Sequence, residues 1–195
     1  MLVLCGKTAS GKDTLAKKLV EKYNYRKIIT YTTRPMRENE KQDETYHFVS
    51  EKNFKDKIKN NFFAEYKTYN TEFGTWYYGT AIEDLRYGGI DSVIILTPDG
   101  LRDVKDKIKD IVSVYVSSND ATIKKRLIKR GDDPHEAERR LQHDNEDFKG
   151  IEKIVDKVVI NNWDSDLSEV LDEIVSFKTK KEIRQIFERM YNEKN

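Results

Sequence analysis

Cysteine occurs once in this 195-residue chain, at Cys5, so no internal disulfide can form. Its place in an apolar N-terminal run reads as a small buried residue rather than a nucleophile, and the usage fits a reducing cytoplasm. Charge of one sign is not in excess either. The 36 Lys and Arg face 35 Asp and Glu, a formal net charge of +1, which argues against wholesale binding to nucleic acid or membranes. Any anion site must therefore be local. No apolar stretch approaches the roughly 20 residues of a membrane helix, and the opening run 1–5 is too short for a signal peptide. His47, His135 and His143 show no metal-ligand spacing with one another or with Cys5, which disfavours a zinc site. Repeats and low-complexity linkers are missing too. What is there is 37% hydrophobic, enough for one core with small subdomains but hardly for two large independent ones.

Residues 1–5 read as a short buried strand, 6–11 as a small-residue loop, and 12–23 as a helix with Leu15, Leu19 and Val20 on one side. A second β-rich run covers 27–33, and the polar stretch 34–45, with Pro35 and no periodicity, is a loop. A helical pattern at Phe54 and Ile58 and an alternating aromatic-rich segment over 62–78 make 45–80 a small, mostly β insertion. The continuous apolar runs 93–96 and 111–116, each followed by a helical pattern, predict parallel strands covered on both faces. A basic helix at 121–130, a polar stretch at 131–135 with Pro134 and a charged helix at 136–148 have the makings of a mobile lid. A strand at 155–160 and a helix at 167–177 follow. Ile183, Ile186, Phe187 and Met190 then give a last amphipathic helix, suited to packing or to an oligomer contact.

The sharpest motif is Gly6-Lys7-Thr8-Ala9-Ser10-Gly11-Lys12-Asp13-Thr14, which has the glycine, four residues, glycine, lysine spacing between a strand and a helix. Glycines let backbone N–H groups turn toward a polyphosphate, the helix N-terminus adds positive potential, and Lys12 can reach the transferring phosphates. An ordinary glycine turn is the plain alternative. Asp13 stands where such loops usually place the Ser or Thr that holds Mg²⁺, with Thr14 next. Asp13 either holds magnesium through water or simply favours the helix start, where a carboxylate meets the positive end of the dipole.

Arg34 and Arg37 lie three residues apart, and Tyr46 follows nine residues after Arg37. Two guanidinium forks and a phenol suit a phosphate monoester, whereas solvated surface arginines are the bland reading. The order of motifs along the chain resembles the guanylate kinase family: phosphate loop, Thr32-Thr33-Arg34-Pro35-Met36-Arg37, Tyr46-His47-Phe48-Val49, Glu65, then Tyr77-Tyr78-Gly79-Thr80. The resemblance spans residues 1–176. It implies that Glu65 reads the guanine, that Tyr78 joins Arg34, Arg37 and Tyr46 on the acceptor phosphate, and that Thr30 and Thr80 bond the base. Guanine presents N1–H and an exocyclic amine side by side, a pair of donors that a carboxylate can accept and adenine lacks. By the same resemblance, Arg126 and Arg130 of the basic helix and Arg139 or Arg140 beyond the lid clamp the donor phosphates. Lys12, Arg126, Arg130 and Arg140 are thus the candidates that position and neutralise the transferring group, and Asn161 matches a position near the adenine.

The chain departs from the family where Ile95-Leu96-Thr97 replaces the acidic residues at the end of a core strand. Either Asp13 or Asp99 substitutes, or the acceptor is not GMP. Asp43 stands where the family has glycine, and 67–76 is longer than the family's hairpin. Ribose bisphosphate phosphokinase, which like this chain has Asp after the loop lysine and no strand-end acid, is the runner-up. A deoxynucleotide kinase and a non-catalytic guanylate-kinase-like binding module are further alternatives. The implied fold is α/β, a three-layer P-loop kinase fold with a mostly parallel central sheet, a small β-rich NMP-binding insertion and a lid. Residues 1–33 and 81–178 would form the core with a lid at about 126–145, 34–80 the acceptor subdomain, and 179–195 a C-terminal helix. The expected activity is ATP-dependent phosphorylation of GMP, and of dGMP if the sugar pocket admits it, with ATP and Mg²⁺. The partners are small-molecule nucleotides, with no nucleic acid and no membrane, in a cytoplasmic monomer or homodimer.

Overall fold

The computed structural model of the protein describes residues 1–38, 40–71 and 74–192; residues 72–73 of the long hairpin and 193–195 of the expected C-terminal helix lie outside the described residues. The chain opens with β1 (Leu2–Cys5), α1 (Lys12–Tyr23), β2 (Arg26–Lys27), β3 (Tyr31–Thr32) and β4 (His47–Phe48). It continues through α2 (Glu51–Lys59), β5 (Phe63–Thr71), β6 (Gly74–Ala81), α3 (Ile82–Arg86), β7 (Ser92–Ile95) and α4 (Pro98–Lys107). It ends with β8 (Val112–Ser117), α5 (Asp120–Arg130), α6 (Pro134–Asp147), β9 (Lys157–Ile160) and α7 (Leu167–Asn192).

Five strands form one sheet in the order β2-β7-β1-β8-β9, every neighbouring pair parallel. The strand period of two divides β1 between two cores. Val3 and Cys5 face Ile94, Leu101, Val104, Tyr115, Phe148 and Ile151, whereas Leu2 and Leu4 face Leu15, Leu19, Val170, Leu171 and Ile174. Helices therefore cover both faces, α4 on one side and α1 with α7 on the other. This double cover is why the strand sequences are apolar without alternation. A smaller core of Ile123, Leu127 and Leu141 joins α5 to α6.

A second, mixed sheet, ordered β4-β3-β6-β5, carries the insertion. Its long hairpin is paired from Phe63 and Ala81 out to Thr71 and Gly74. Phe54 of α2 stacks on Phe63 at 4.3 Å between ring centres, which fixes α2 against this sheet.

Three expectations change in detail. The single β-rich run at 27–33 is two short strands in different sheets: Arg26–Lys27 pair with Ser92 and Val93 of the core, Tyr31–Thr32 with Gly79 and Tyr78 of the insertion. The lid helix starts at Pro134, since a proline in the first turn needs no N–H partner. The helical patterns at 167–177 and 183–190 belong to one helix of 26 residues, because no glycine or proline interrupts it. Lys178 continues its buried side, 3% exposed, bonded to Glu182 and Asp91, while Ile183, Ile186 and Phe187 beyond it are exposed. No helix among the described residues is long and apolar enough to cross a membrane.

Candidate active site

The phosphate loop leaves β1 at Gly6, where an added Cβ would lie 2.9 Å from the Val116 carbonyl, and enters α1 at Gly11, whose φ is +95°. Both positions exclude a side chain for backbone reasons. Behind the loop, Arg126 donates to the carbonyls of Ala9 (3.1 Å), Ser10 (3.0 Å) and Asn162 (3.1 Å), and to Ser118 Oγ (3.2 Å). Asn161 Nδ2 donates to the same Ser10 carbonyl at 2.7 Å. A trans peptide puts its N–H opposite its carbonyl, so holding the Ser10 carbonyl from behind turns the Gly11 N–H toward the open side. Arg126 was expected to clamp phosphate. Its half-buried guanidinium is instead engaged by the loop backbone, as a fork with several donors can be.

Lys12 Nζ lies over the loop, 3.2 Å from the Lys7 carbonyl, with its side chain 20% exposed. Thr8 N–H points to α6, where the Asp144 carboxylate accepts it at 2.5 Å, and Lys7 Nζ donates to Asn145. The Asp13 side chain, in the first turn of α1, is 85% exposed and close enough to Tyr46 and Arg130 to influence both. Thr14 follows on the same exposed turn. Among the described residues no three His, Cys, Asp or Glu side chains gather into a cage for a metal. A lone exposed carboxylate beside a phosphate loop fits a hydrated Mg²⁺ held mainly by the nucleotide.

Across the cleft, Arg34 is 5% exposed and its guanidinium lies 5.6 Å from the Tyr46 ring centre and 5.8 Å from that of Phe48. Its Nη2 meets Glu40 Oε1 at 2.6 Å, and the other Glu40 oxygen accepts the Arg37 N–H at 2.8 Å. Glu40 was not singled out from sequence, although its place three residues after Arg37 was a usable signal. Tyr46 packs edge-on to Tyr78 at 6.0 Å, and Tyr78 to Tyr69 at 5.5 Å. Lys67, Thr68 and Tyr69 of the long hairpin line one cleft with His143 and Asp147 of α6, and there burial, helped by Asp147, pushes the Tyr69 phenol up to about 12. Asp43, where the family has glycine, adopts φ +62°, the left-handed conformation that Asp tolerates better than most residues.

Glu65 and Thr80 are cross-strand partners beside a bulge in β5. The Thr80 hydroxyl, fully buried, donates to Glu65 Oε1 at 2.5 Å. Burial raises the Glu65 carboxyl above its ordinary range, with the Thr80 bond opposing. An added Cβ at Gly100 would lie 3.2 Å from Glu65 Oε2, so α4 closes the far side of this carboxylate. Thr30 contributes its carbonyl to His47 N–H at 2.9 Å, at the edge of the same sheet. Thr97, at the strand end where an acid was sought, caps α4 by accepting from Gly100 N–H at 3.2 Å. Asp99 is engaged by Lys67 and by Arg102, and Lys67 holds its carboxyl below the usual range.

At the lid, Arg130 forks onto Asp132 at 2.6 and 2.5 Å, and Arg140 stands 3.8 Å from the same carboxylate. Arg130 chiefly, then Arg140 and Arg37, hold the Asp132 carboxyl below its ordinary range. The structure thus brings Arg130 and Arg140 to one carboxylate, while Arg126 is engaged by the loop backbone.

The loop amides with Lys12 make one polar cluster, and Arg34 and Arg37 with Tyr46 and Tyr78 make another. A strand, glycine loop and helix in front of a parallel sheet is the arrangement of the P-loop kinases. The family model described as guanylate kinase matches residues 1–188. The chain is 31% identical to a guanylate kinase of Campylobacter jejuni (strain RM1221), over 99% of this chain and 97% of that protein. It is 33% identical to one of Helicobacter hepaticus, over 83% and 82%. This chain belongs to the guanylate kinase family and is a kinase. The crystal structure of guanylate kinase from Anaplasma phagocytophilum shares the fold, with a TM-score of 0.67 at 23% identity, over 93% of this chain and 85% of that one.

Proposed function

We propose that this kinase transfers the γ-phosphoryl group of ATP to GMP, with dGMP as a second acceptor. The observation that carries the guanine reading is the pairing of a half-buried Glu65 with the buried Thr80, a carboxylate with one oxygen steadied by a hydroxyl and the other facing α4. A flat base presenting two adjacent donors would satisfy it, whereas adenine would leave that charge without partners. Arg34, Arg37, Tyr46 and Tyr78 would hold the acceptor phosphate, with Glu40 yielding Arg34 to it. Lys12 and the amides of residues 6–14 would hold the polyphosphate. The open cleft of about 450 Å³ lined by Arg126, Lys129, Arg130 and Trp163, next to Asn161, has room for the adenine. Arg130 and Arg140 would leave Asp132 for the transferring group as the lid closes and excludes water. Asp13 and Thr14 would hold the water shell of a Mg²⁺ brought in with ATP, which would supply neutralisation of the charge developing on the phosphates. Asp13 suits that place better than Asp99, whose carboxylate is already engaged by two cations.

Thr97 at the strand end keeps a sugar-phosphate acceptor as the second reading. The deciding experiment is an ADP-release assay with ATP, magnesium and a panel of GMP, dGMP, AMP, UMP, CMP, TMP and ribose 1,5-bisphosphate. Turnover on GMP or dGMP supports the proposal. Turnover on the sugar phosphate alone replaces it with the phosphokinase reading, and silence on every acceptor replaces it with a binding module.

A further inference from the structure

The contact between the lid helix and the phosphate loop has a chemistry that the proposed reaction does not use. The Thr8 N–H lies within the loop that would wrap a polyphosphate, yet its partner is a carboxylate from residue 144. A carboxylate oxygen and a phosphate oxygen make the same charge-assisted bond to a backbone amide and cannot both have it. Next to it, Lys7 Nζ is held by the Asn145 side-chain carbonyl.

The placement of both side chains follows from the helix. Leu141, Asp144, Asn145 and Phe148 share one face by helical spacing. Leu141 is buried against Ile123 and Leu127, with Ala9 of the loop packed on the same cluster, and Phe148 stacks on Tyr115 at 5.6 Å. With an apolar anchor on each side, the two polar residues between them have one place to go, which is the loop.

We propose that α6 latches the phosphate loop: Asp144 takes the place of a phosphate oxygen on the Thr8 amide while Asn145 holds Lys7, so that ATP must displace this end of α6 to bind. The inference rests on the reading of residues 6–14 as the ATP site. It makes lid release and ATP binding a single equilibrium, in which the apparent affinity is reduced by the fraction of molecules that are latched.

Calorimetric titration of the full chain with ATP, tripolyphosphate and adenosine tests this, on wild type, D144A, N145A and D147N. Asp147 lies one turn along, paired with His143 at 3.2 Å, and serves as a control for charge alone. D144A is expected to bind ATP and tripolyphosphate about tenfold more tightly, the equivalent of ~1.4 kcal/mol, with adenosine unchanged. N145A, which changes no charge, is expected to tighten both about two- to threefold by freeing Lys7. Equal or weaker ATP affinity in D144A overturns the latch, as does a gain in D147N as large as that in D144A. Absence of ATP binding by the wild type would instead overturn the phosphate-loop reading beneath it.

Discussion

Replacing Glu65 by glutamine keeps the shape of the side chain and removes one charge at the point where the acceptor base would be read. In wild type the carboxylate accepts the Thr80 hydroxyl at 2.5 Å and keeps its second oxygen against α4. A base presenting N1–H and an amine would make charged hydrogen bonds there. Exchanging that arrangement for a neutral amide costs about 1.5–3 kcal/mol, or roughly 10–150-fold in kcat/KM for GMP. AMP makes no such bonds, so its kcat/KM is expected to hold or rise. Stability should move the other way. Burial raises the folded-state value of Glu65 above the unfolded one, so the folded protein holds a proton that the unfolded chain has lost. Wild-type stability therefore falls as pH rises from the unfolded value through the folded one, and E65Q lacks that fall. At neutral pH the variant should melt at or above the wild-type temperature, with the advantage gone at low pH. The acid limb of kcat/KM for GMP should also lie above the ordinary carboxylate range in wild type and be missing in E65Q. Steady-state rates with GMP and AMP across pH, with melting curves at the same pH values, measure all of this. An unchanged GMP to AMP ratio would remove Glu65 from base recognition.

Lys12→Ala should abolish turnover while leaving the melting temperature near wild type, because Nζ makes only one bond to the loop, at 3.2 Å; a near-normal rate in the ADP-release assay would refute the phosphate-loop assignment. Arg126→Ala should lower stability by about 2–4 kcal/mol, since it strips donors from several buried carbonyls, and weaken ATP with it. Arg130→Ala should cost little stability, its partner being the nearby Asp132, which Arg140 also approaches at 3.8 Å, and lower kcat; urea unfolding and steady-state rates separate the two. Lys178→Ala should cost about 3 kcal/mol by leaving Glu182 without its partner in a largely buried setting, read by urea unfolding. Desolvation, the largest single influence, lowers the Lys178 value, but the Glu182 bond together with Tyr25 and the Glu182 charge outweighs it, so the value stands above 10.5. Its contribution is therefore complete below pH 10.5 and lost as pH climbs through the folded value.

The strand, loop and helix at 1–23 were legible because every part of that unit is local. Glycine is needed where φ is positive or a carbonyl approaches, and apolar residues fill a strand that is covered on both faces. The helices α5 and α6 were legible in outline by their charged patterns, though the start of α6 at Pro134 was not. Other features were not. The run 26–32 divides between two sheets because its pairing partners, near residues 92 and 78, lie far along the chain. The two patterns in α7 looked separate because burial changes partway along an unbroken helix.

Sequence alone thus determined most of the elements and which residue types could bind anions, since propensity, periodicity and motif spacing act within a few residues. Tertiary structure decided which partners the charged and amide groups meet. Arg126 turns to the loop backbone 117 residues away, and Asp144 meets an amide 136 residues away. Asp99, separated from Lys67 by 32 residues, is taken up by it. A hydrogen bond between groups so far apart in the chain is set by how the layers pack, and local pattern carries no record of that.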